Sequence, residues 1–136
     1  MEPMMNKERA QSLNIFGELT RNPLFDSMEI SFNQDSHSVR IKNGTDEIFL
    51  VPHKNFVLGI LFVASLQRIE IKTRLNRYKI LQKLNHAYIG IKFVTILKDS
   101  MEWIAMTMPF PYEFNPTEFY MMLTQTMLPA KNELIR

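Results

Sequence analysis

Phe56-Val57-Leu58-Gly59-Ile60-Leu61-Phe62-Val63-Ala64 is the stretch on which the fold turns. It carries no polar side chain at either alternating set of positions. A strand of this kind must be covered on both faces, so it belongs at the centre of a sheet. The apolar run Phe56 to Leu66 is 11 residues long, which is too short to span a bilayer, and Lys54 and Arg68 flank it.

Upstream the pattern is that of half-buried strands. Met28, Ile30 and Phe32 alternate with Glu29, Ser31 and Asn33. After the polar turn Gln34 to His37, Val39 and Ile41 alternate with Ser38, Arg40 and Lys42. Asn43-Gly44 signals a hairpin, because both residues tolerate positive φ. Glu47 to Val51 forms the returning strand, and Pro52 stops it. Asp46 and Glu47, just past the turn, are expected to be solvated. A helix is expected earlier, over residues 7–20, with Asn6 as N-cap and Ala10, Leu13, Phe16 and Leu19 on one side. Asn22-Pro23 ends it.

Downstream, from Ile69 to His86, the period becomes helical, with Ile71, Leu75, Tyr78 and Leu81 on one face. Arg68, Lys72, Lys79 and Lys83 make a basic stripe about a quarter-turn away. Asn85 falls at the edge of the apolar face and is expected to be buried, its amide bonding backbone near the helix end. Ile89, Ile91, Phe93, Thr95 and Leu97 then alternate with Gly90, Lys92, Val94, Ile96 and Lys98. Lys98-Asp99-Ser100 turns the chain into a last strand, Glu102 to Met108. The final helix has Asn115 as cap, Pro116 at the first helical position, Glu118 at the third, and Phe114 with Phe119 as a hydrophobic staple. Phe119, Met122, Leu123 and Thr126 form its inner face, and Pro129 ends it. The order α-β-β-β-β-α-β-β-α predicts an α+β fold with a mostly antiparallel sheet, in a single domain over residues 1–136.

The chain has 136 residues, 46% apolar and 22% charged, with a net charge of +2. That supports a sizeable core and lacks the basic excess of a nucleic-acid coat. There is no cysteine, which excludes disulfides, thiol catalysis and thiolate metal sites. The stretch Met1 to Arg21 has no uninterrupted apolar segment of the signal-peptide type, so a cytoplasmic location is expected. The ten methionines fit an irregular core as well as an adaptable binding surface.

Catalytic and cofactor motifs are not found. The four glycines, Gly17, Gly44, Gly59 and Gly90, are too far apart for a phosphate-binding loop. No serine sits in a nucleophile elbow, and His37, His53 and His86 form no ligand pair. Glu113 and Glu118 flank a helix start, where carboxylates complement the dipole. Asn43-Gly44-Thr45 matches a glycosylation acceptor but reads better as the hairpin turn. No enzyme, cofactor or metal site is expected.

Binding is the reading that remains. Trp103, Phe110 and Tyr112 lie in a Met- and aromatic-rich stretch where Pro109 and Pro111 are expected to break the ladder, releasing Phe110 and Tyr112 from the sheet. Such side chains anchor interfaces. Met121 and Leu128 lie opposite Phe119 and Leu123 on the last helix, which suggests a homodimer contact. The basic stripe Arg68, Lys72, Lys79, Lys83 suits a solvated face, an acidic protein partner or nucleic acid.

From about Met28 to Leu128 the chain resembles the YbjN-like family and, through it, the fold of type III secretion chaperones. The resemblance is carried by Phe49-Leu50-Val51-Pro52 before the apolar strand and by Leu81-Gln82-Lys83-Leu84-Asn85 closing the central helix. Ile91-Lys92-Phe93 and Met106-Thr107-Met108-Pro109, with Phe119 and Leu123, complete it. It implies a sheet packed by helices, frequent homodimers and no enzymatic role. The expected function is therefore a chaperone-like, protein-binding domain that captures a partner polypeptide through apolar surface and sheet edges. The alternative is a regulatory protein that binds nucleic acid or an acidic partner through the basic stripe. No membrane partner is expected.

Overall fold

The computed structural model describes residues 3–65, 74–87 and 90–134. In chain order these form α1 (Pro3–Thr20), a 3-10 turn (Pro23–Phe25), β1 (Glu29–Asn33), β2 (Ser38–Asn43), β3 (Asp46–Pro52) and β4 (Phe56–Ser65). There follow α2 (Arg74–Ala87), β5 (Lys92–Lys98), β6 (Met101–Pro111), α3 (Pro116–Met122), a π-helical segment (Leu123–Met127) and α4 (Leu128–Leu134). The six strands make one antiparallel sheet in the order β1-β2-β3-β4-β6-β5. The fold is α+β, and β4 occupies the interior position that its two apolar faces require.

Three of the turns between strands show their local cause. Asn33 Oδ1 accepts from the Asp35 and Ser36 amides at 2.9 and 3.1 Å, which closes the β1–β2 loop. Asn43 pairs with Asp46, so the β2–β3 turn is Gly44-Thr45, one residue later than expected. Only Gly44 takes positive φ there (64°). Asp99 and Ser100 both take positive φ (53° and 63°), as a two-residue turn of the mirror-image type demands.

One face of the sheet carries the core. Ile15 and Leu19 of α1 pack with Val39, Ile41, Ile48 and Leu50, and Phe119, Leu123 and Met127 of the last helix pack with Phe25, Met106 and Phe110. Leu81 and Leu84 of α2 lean on the same cluster. The buried side of α1 is turned from the one expected: Leu19 is buried and Phe16 packs against the core as expected, but the other two positions of that face do not. Ser12 is fully buried with Ile15 and Leu19, whereas Ala10 and Leu13 are exposed. A polar residue masks the pattern, because the Ser12 hydroxyl is satisfied by donating to the His37 carbonyl.

The prolines of β6 do not break its ladder. The strand pairs with β4 as far as Phe56↔Pro111. The Phe93 N–H and C=O point away from β6, so in the alternating pattern Met106 bonds toward β4 and the odd positions face β5. Pro109 and Pro111 are odd positions beyond the last β5 pair, Lys92↔Thr107, where no N–H is needed. Phe110 accordingly stays in the sheet and is buried, against the expectation that it leaves. Its ring lies edge-on to Phe114 and Phe119 at 5.9 and 5.3 Å. It also covers Gly59 so closely that a Cβ there would sit 2.8 Å from Phe110 Cε2.

The last helix starts as expected. Asn115 Oδ1 accepts from Thr117 and Glu118 amides at 3.0 and 3.2 Å, and the Phe114–Phe119 staple closes at 5.4 Å. It does not end at Pro129. The π-helical segment Leu123–Met127 widens the ladder just before the proline, and the Leu128 amide reaches back five residues to the Leu123 carbonyl. The ring of Pro129 then falls in the first turn of α4, where a missing N–H is tolerated. The inserted residue also rotates α4 about the helix axis, so Leu128 packs against the core instead of lying outward beside Met121. Met127 and Ala130 are buried, and Thr126 is not.

Asn85 is exposed rather than buried. Its side chain nevertheless bonds backbone, on the strand and not at the helix end. Asn85 Nδ2 donates to the Phe93 carbonyl at 3.1 Å, and the Phe93 amide donates to Asn85 Oδ1 at 2.6 Å. The carboxamide thus takes the place of a neighbouring peptide on the free edge of β5. Ile69, Ile71 and Ile89 lie outside the described residues, as do the side chains of Leu75 and Tyr78.

Substitution at these contacts has measurable outcomes. Gly59→Ala should lower stability by about 1–3 kcal/mol by overpacking, and Phe110→Ala by about 3–5 kcal/mol by leaving a cavity, both read from urea unfolding. Asn85→Ala should speed amide exchange at Phe93 by about fivefold or more, the worth of one hydrogen bond. Unchanged exchange would show that the edge closes without it.

Candidate functional site

Alternation along the strands assigns a second set of side chains to the sheet face opposite the core. Arg40, Phe49, Ile60, Thr107 and Lys92 align across the sheet, and Val51, Leu58 and Pro109 make the adjoining row. Ala105 and Val94 form a third row, and Trp103 pairs with Ile96. Phe49, Val51, Leu58, Ile60, Val94, Ile96 and Trp103 are only half-buried. Among the described residues the apolar side chains of α1, α2 and the last helix pack on the core side, and Lys131 of α4 reaches one corner of this face, beside Arg40, Lys98 and Trp103.

At one corner of the face the side chains cover one another. Phe62 is 8% exposed although it is absent from the main core. Phe49 and Trp103 stand edge-on to it at 5.7 and 6.0 Å. The Lys98 ammonium sits 4.8 Å from the Phe62 ring centroid and 5.1 Å from that of Trp103, within cation–π range. Glu47 holds that cation through Oε1, and its Oε2 accepts from Arg40 Nε at 2.7 Å and from Arg40 Nη2. Burial pushes the Glu47 carboxyl up, but the hydrogen bonds and charges of Lys98 and Arg40 outweigh it and hold the group below the ordinary glutamate range. Glu47 is therefore fixed between two cations and not solvated as expected. Asp46 is likewise engaged, by the buried Lys131 of α4.

The five expected partner-binding residues are not brought together. Trp103 belongs to this face. Phe110 lies in the core on the other side of the sheet, and Leu128 packs against the same core. Tyr112 is half-buried, its carbonyl accepting from Gln11 and its ring 5.6 Å from Lys7 Nζ. Met121 is 46% exposed without Leu128 beside it, so the two make no apolar stripe. Of the basic stripe, Lys79 and Lys83 are exposed, and Arg68 and Lys72 lie outside the described residues.

No family model and no curated protein matches this chain. The face itself carries the functional argument. Sequence reading missed Arg40, Glu47, Phe62 and Lys98 as a group, although the signal was present. Arg40 and Lys42 share the outward parity of β2, while β4 offers Leu58, Ile60 and Phe62 at the same parity. Among the described residues no three His, Asp or Glu side chains are placed to hold a metal ion. None of the described helices is long and apolar enough to cross a membrane.

The folded Glu47 carboxyl titrates below its unfolded value of about 4.3, so its contribution to stability is present above that pH and is lost as pH falls further. Glu47→Gln should cost on the order of 1 kcal/mol at pH 7, given the partial exposure of its partners. The gap between variant and wild type should narrow as the pH falls below about 4.3. Urea unfolding at both pH values measures it, and a gap that persists in acid would assign the effect to packing.

Proposed function

We propose that this protein is a non-enzymatic, chaperone-like binding domain that captures an extended segment of another polypeptide on the open face of its sheet. The observation that carries this reading is the half-buried apolar set Phe49, Leu58, Ile60, Val94 and Ile96, contiguous across β3, β4, β6 and β5 through Thr107 and Ala105. Exposed apolar surface of this continuity, rimmed by charge, is characteristic of interaction sites. The rim specifies the partner. Arg40, Lys42, Lys92 and Lys98 outnumber Glu29 and Glu47 among the outward positions of these strands, so the segment that fits is apolar with acidic flanks. The resemblance to YbjN-like proteins and secretion chaperones points the same way, to a cytoplasmic protein that holds a partner chain.

The face is favoured over the β5 edge of the sheet as the place of capture. Asn85 occupies the β5 edge at Phe93, where an added strand would have to bond.

Ile60→Asp tests the reading, because a charge at a half-buried position of an open face leaves the core intact. The variant should keep the wild-type melting midpoint and lose partners that immobilised wild type retains from native cytosol. That retention should weaken with salt, and Met121→Asp should preserve it. Identical capture by wild type and Ile60→Asp would overturn the proposal.

A further inference from the structure

The corner formed by Arg40, Glu47, Phe62, Lys98 and Trp103 borders a cavity of about 580 Å³. The cavity lies where β4 loses its regular register with β6, between Phe62 and Ala64. A bulge of this kind bends a strand and re-aims its side chains. Here the space is bounded by the β2–β3 hairpin, the end of β4, the start of β6, Lys98 of β5 and Lys131 of α4, which is paired with Asp46. Its volume is that of a small-molecule site.

The lining has one chemical bias. Its carboxylate, Glu47, already accepts from Lys98 and Arg40. Lys42 also lines the cavity and is exposed, and no hydrogen bond or ion pair engages its ammonium among the described residues. The Trp103 indole N–H is buried and has no acceptor among the described residues. The spare capacity of Lys42 and Trp103 is thus that of donors, one of them cationic, and Arg40 and Lys98 add positive charge next to the aromatic rings of Phe62 and Trp103. A buried donor without an acceptor is unfavourable, so a shift of the ring that brings it to a ligand oxygen is favoured. Cations beside ring faces favour a flat ligand that bears negative charge.

We propose that this cavity binds a small organic anion, an aromatic or similarly flat body carrying a carboxylate or phosphate group. The anion lies toward Lys42 and Arg40, and the flat body lies along Phe62 and Trp103. The apolar positions proposed for polypeptide capture, Leu58, Ile60, Val94 and Ile96, do not line this cavity, whereas Arg40, Lys42 and Lys98 belong both to it and to the rim of that face.

Trp103 is the only tryptophan of the chain, so its fluorescence reports on this corner alone. The probes are 8-anilinonaphthalene-1-sulfonate and its uncharged parent, N-phenyl-1-naphthylamine. The sulfonate should quench Trp103 saturably, and the uncharged parent should bind at least about tenfold more weakly. Lys42→Ala should weaken the sulfonate about threefold, and Lys79→Ala should leave it unchanged. Lys42 is exposed and unpaired, so its removal leaves the fold intact; Arg40→Ala should act in the same direction. Displacement of the sulfonate by benzoate assigns a carboxylate ligand, and displacement by phenyl phosphate assigns a phosphate. Equal binding of the two probes, indifference to Lys42→Ala, or displacement by neither competitor overturns the proposal.

Discussion

The burial of β4 between β3 and β6 is the constraint on which the rest of the molecule depends. Its residues are apolar on both sides, and each large side chain removed from water contributes about 1.5–3 kcal/mol. Val57 and Leu61 point to the helices and are fully buried. Gly59 lies between them because the Phe110 ring crosses the strand there. A side chain at that position would push the ring away, and with it the Phe114 and Phe119 contacts that seat the last helix. The helical layer is thus coupled to a single glycine of the central strand.

The same strand leaves its other side incompletely covered. Leu58, Ile60 and Phe62 face away from the core, and only the last of them is buried. It is covered by aromatic neighbours and by Lys98, whose ammonium is held over the rings by Glu47. A lysine placed this way buries its aliphatic stem and keeps its charge on the rim. The described helices pack on one face, so the apolar character of β4 exceeds what the core uses. That excess is the physical basis for reading the open face as a binding surface.

How legible this was in the sequence varies with the kind of signal. The element order, the central position of β4 and the Asn115 cap follow from local patterns of few residues, and the structure repeats them. The errors share a different origin. The π-helical segment before Pro129 inserts a residue into the helical period, and no side chain between Leu123 and Met127 announces it. The parity of β6 relative to β5 decides that Pro109 and Pro111 are harmless, and parity is a property of pairing between strands distant in sequence. Ser12 breaks the apolar face of α1 and is satisfied by a carbonyl 25 residues away. The candidate site is the extreme case. Arg40, Glu47, Phe62 and Lys98 come from four strands, and only the register brings them into one corner.

That corner also explains why the open face can be rigid without being covered. An isolated apolar sheet face would reduce its exposure by collapse of its side chains onto one another. Phe49 and Trp103 stand nearly perpendicular to Phe62, at 88° and 81°, and Lys98 closes the space between the rings. Glu47 fixes Lys98, and Arg40 fixes Glu47, so the position of each ring is set through a chain of charges anchored in β2, β3 and β5. A surface ordered in advance loses less entropy when it binds. The ion pairs therefore matter less for the stability of the fold than for keeping the apolar positions beside them, Ile60 and Ile96, presented in one arrangement. Under the proposed reading, charge at the corner and apolar surface beyond it are parts of one device, in which electrostatics organises the surface and burial would supply the affinity.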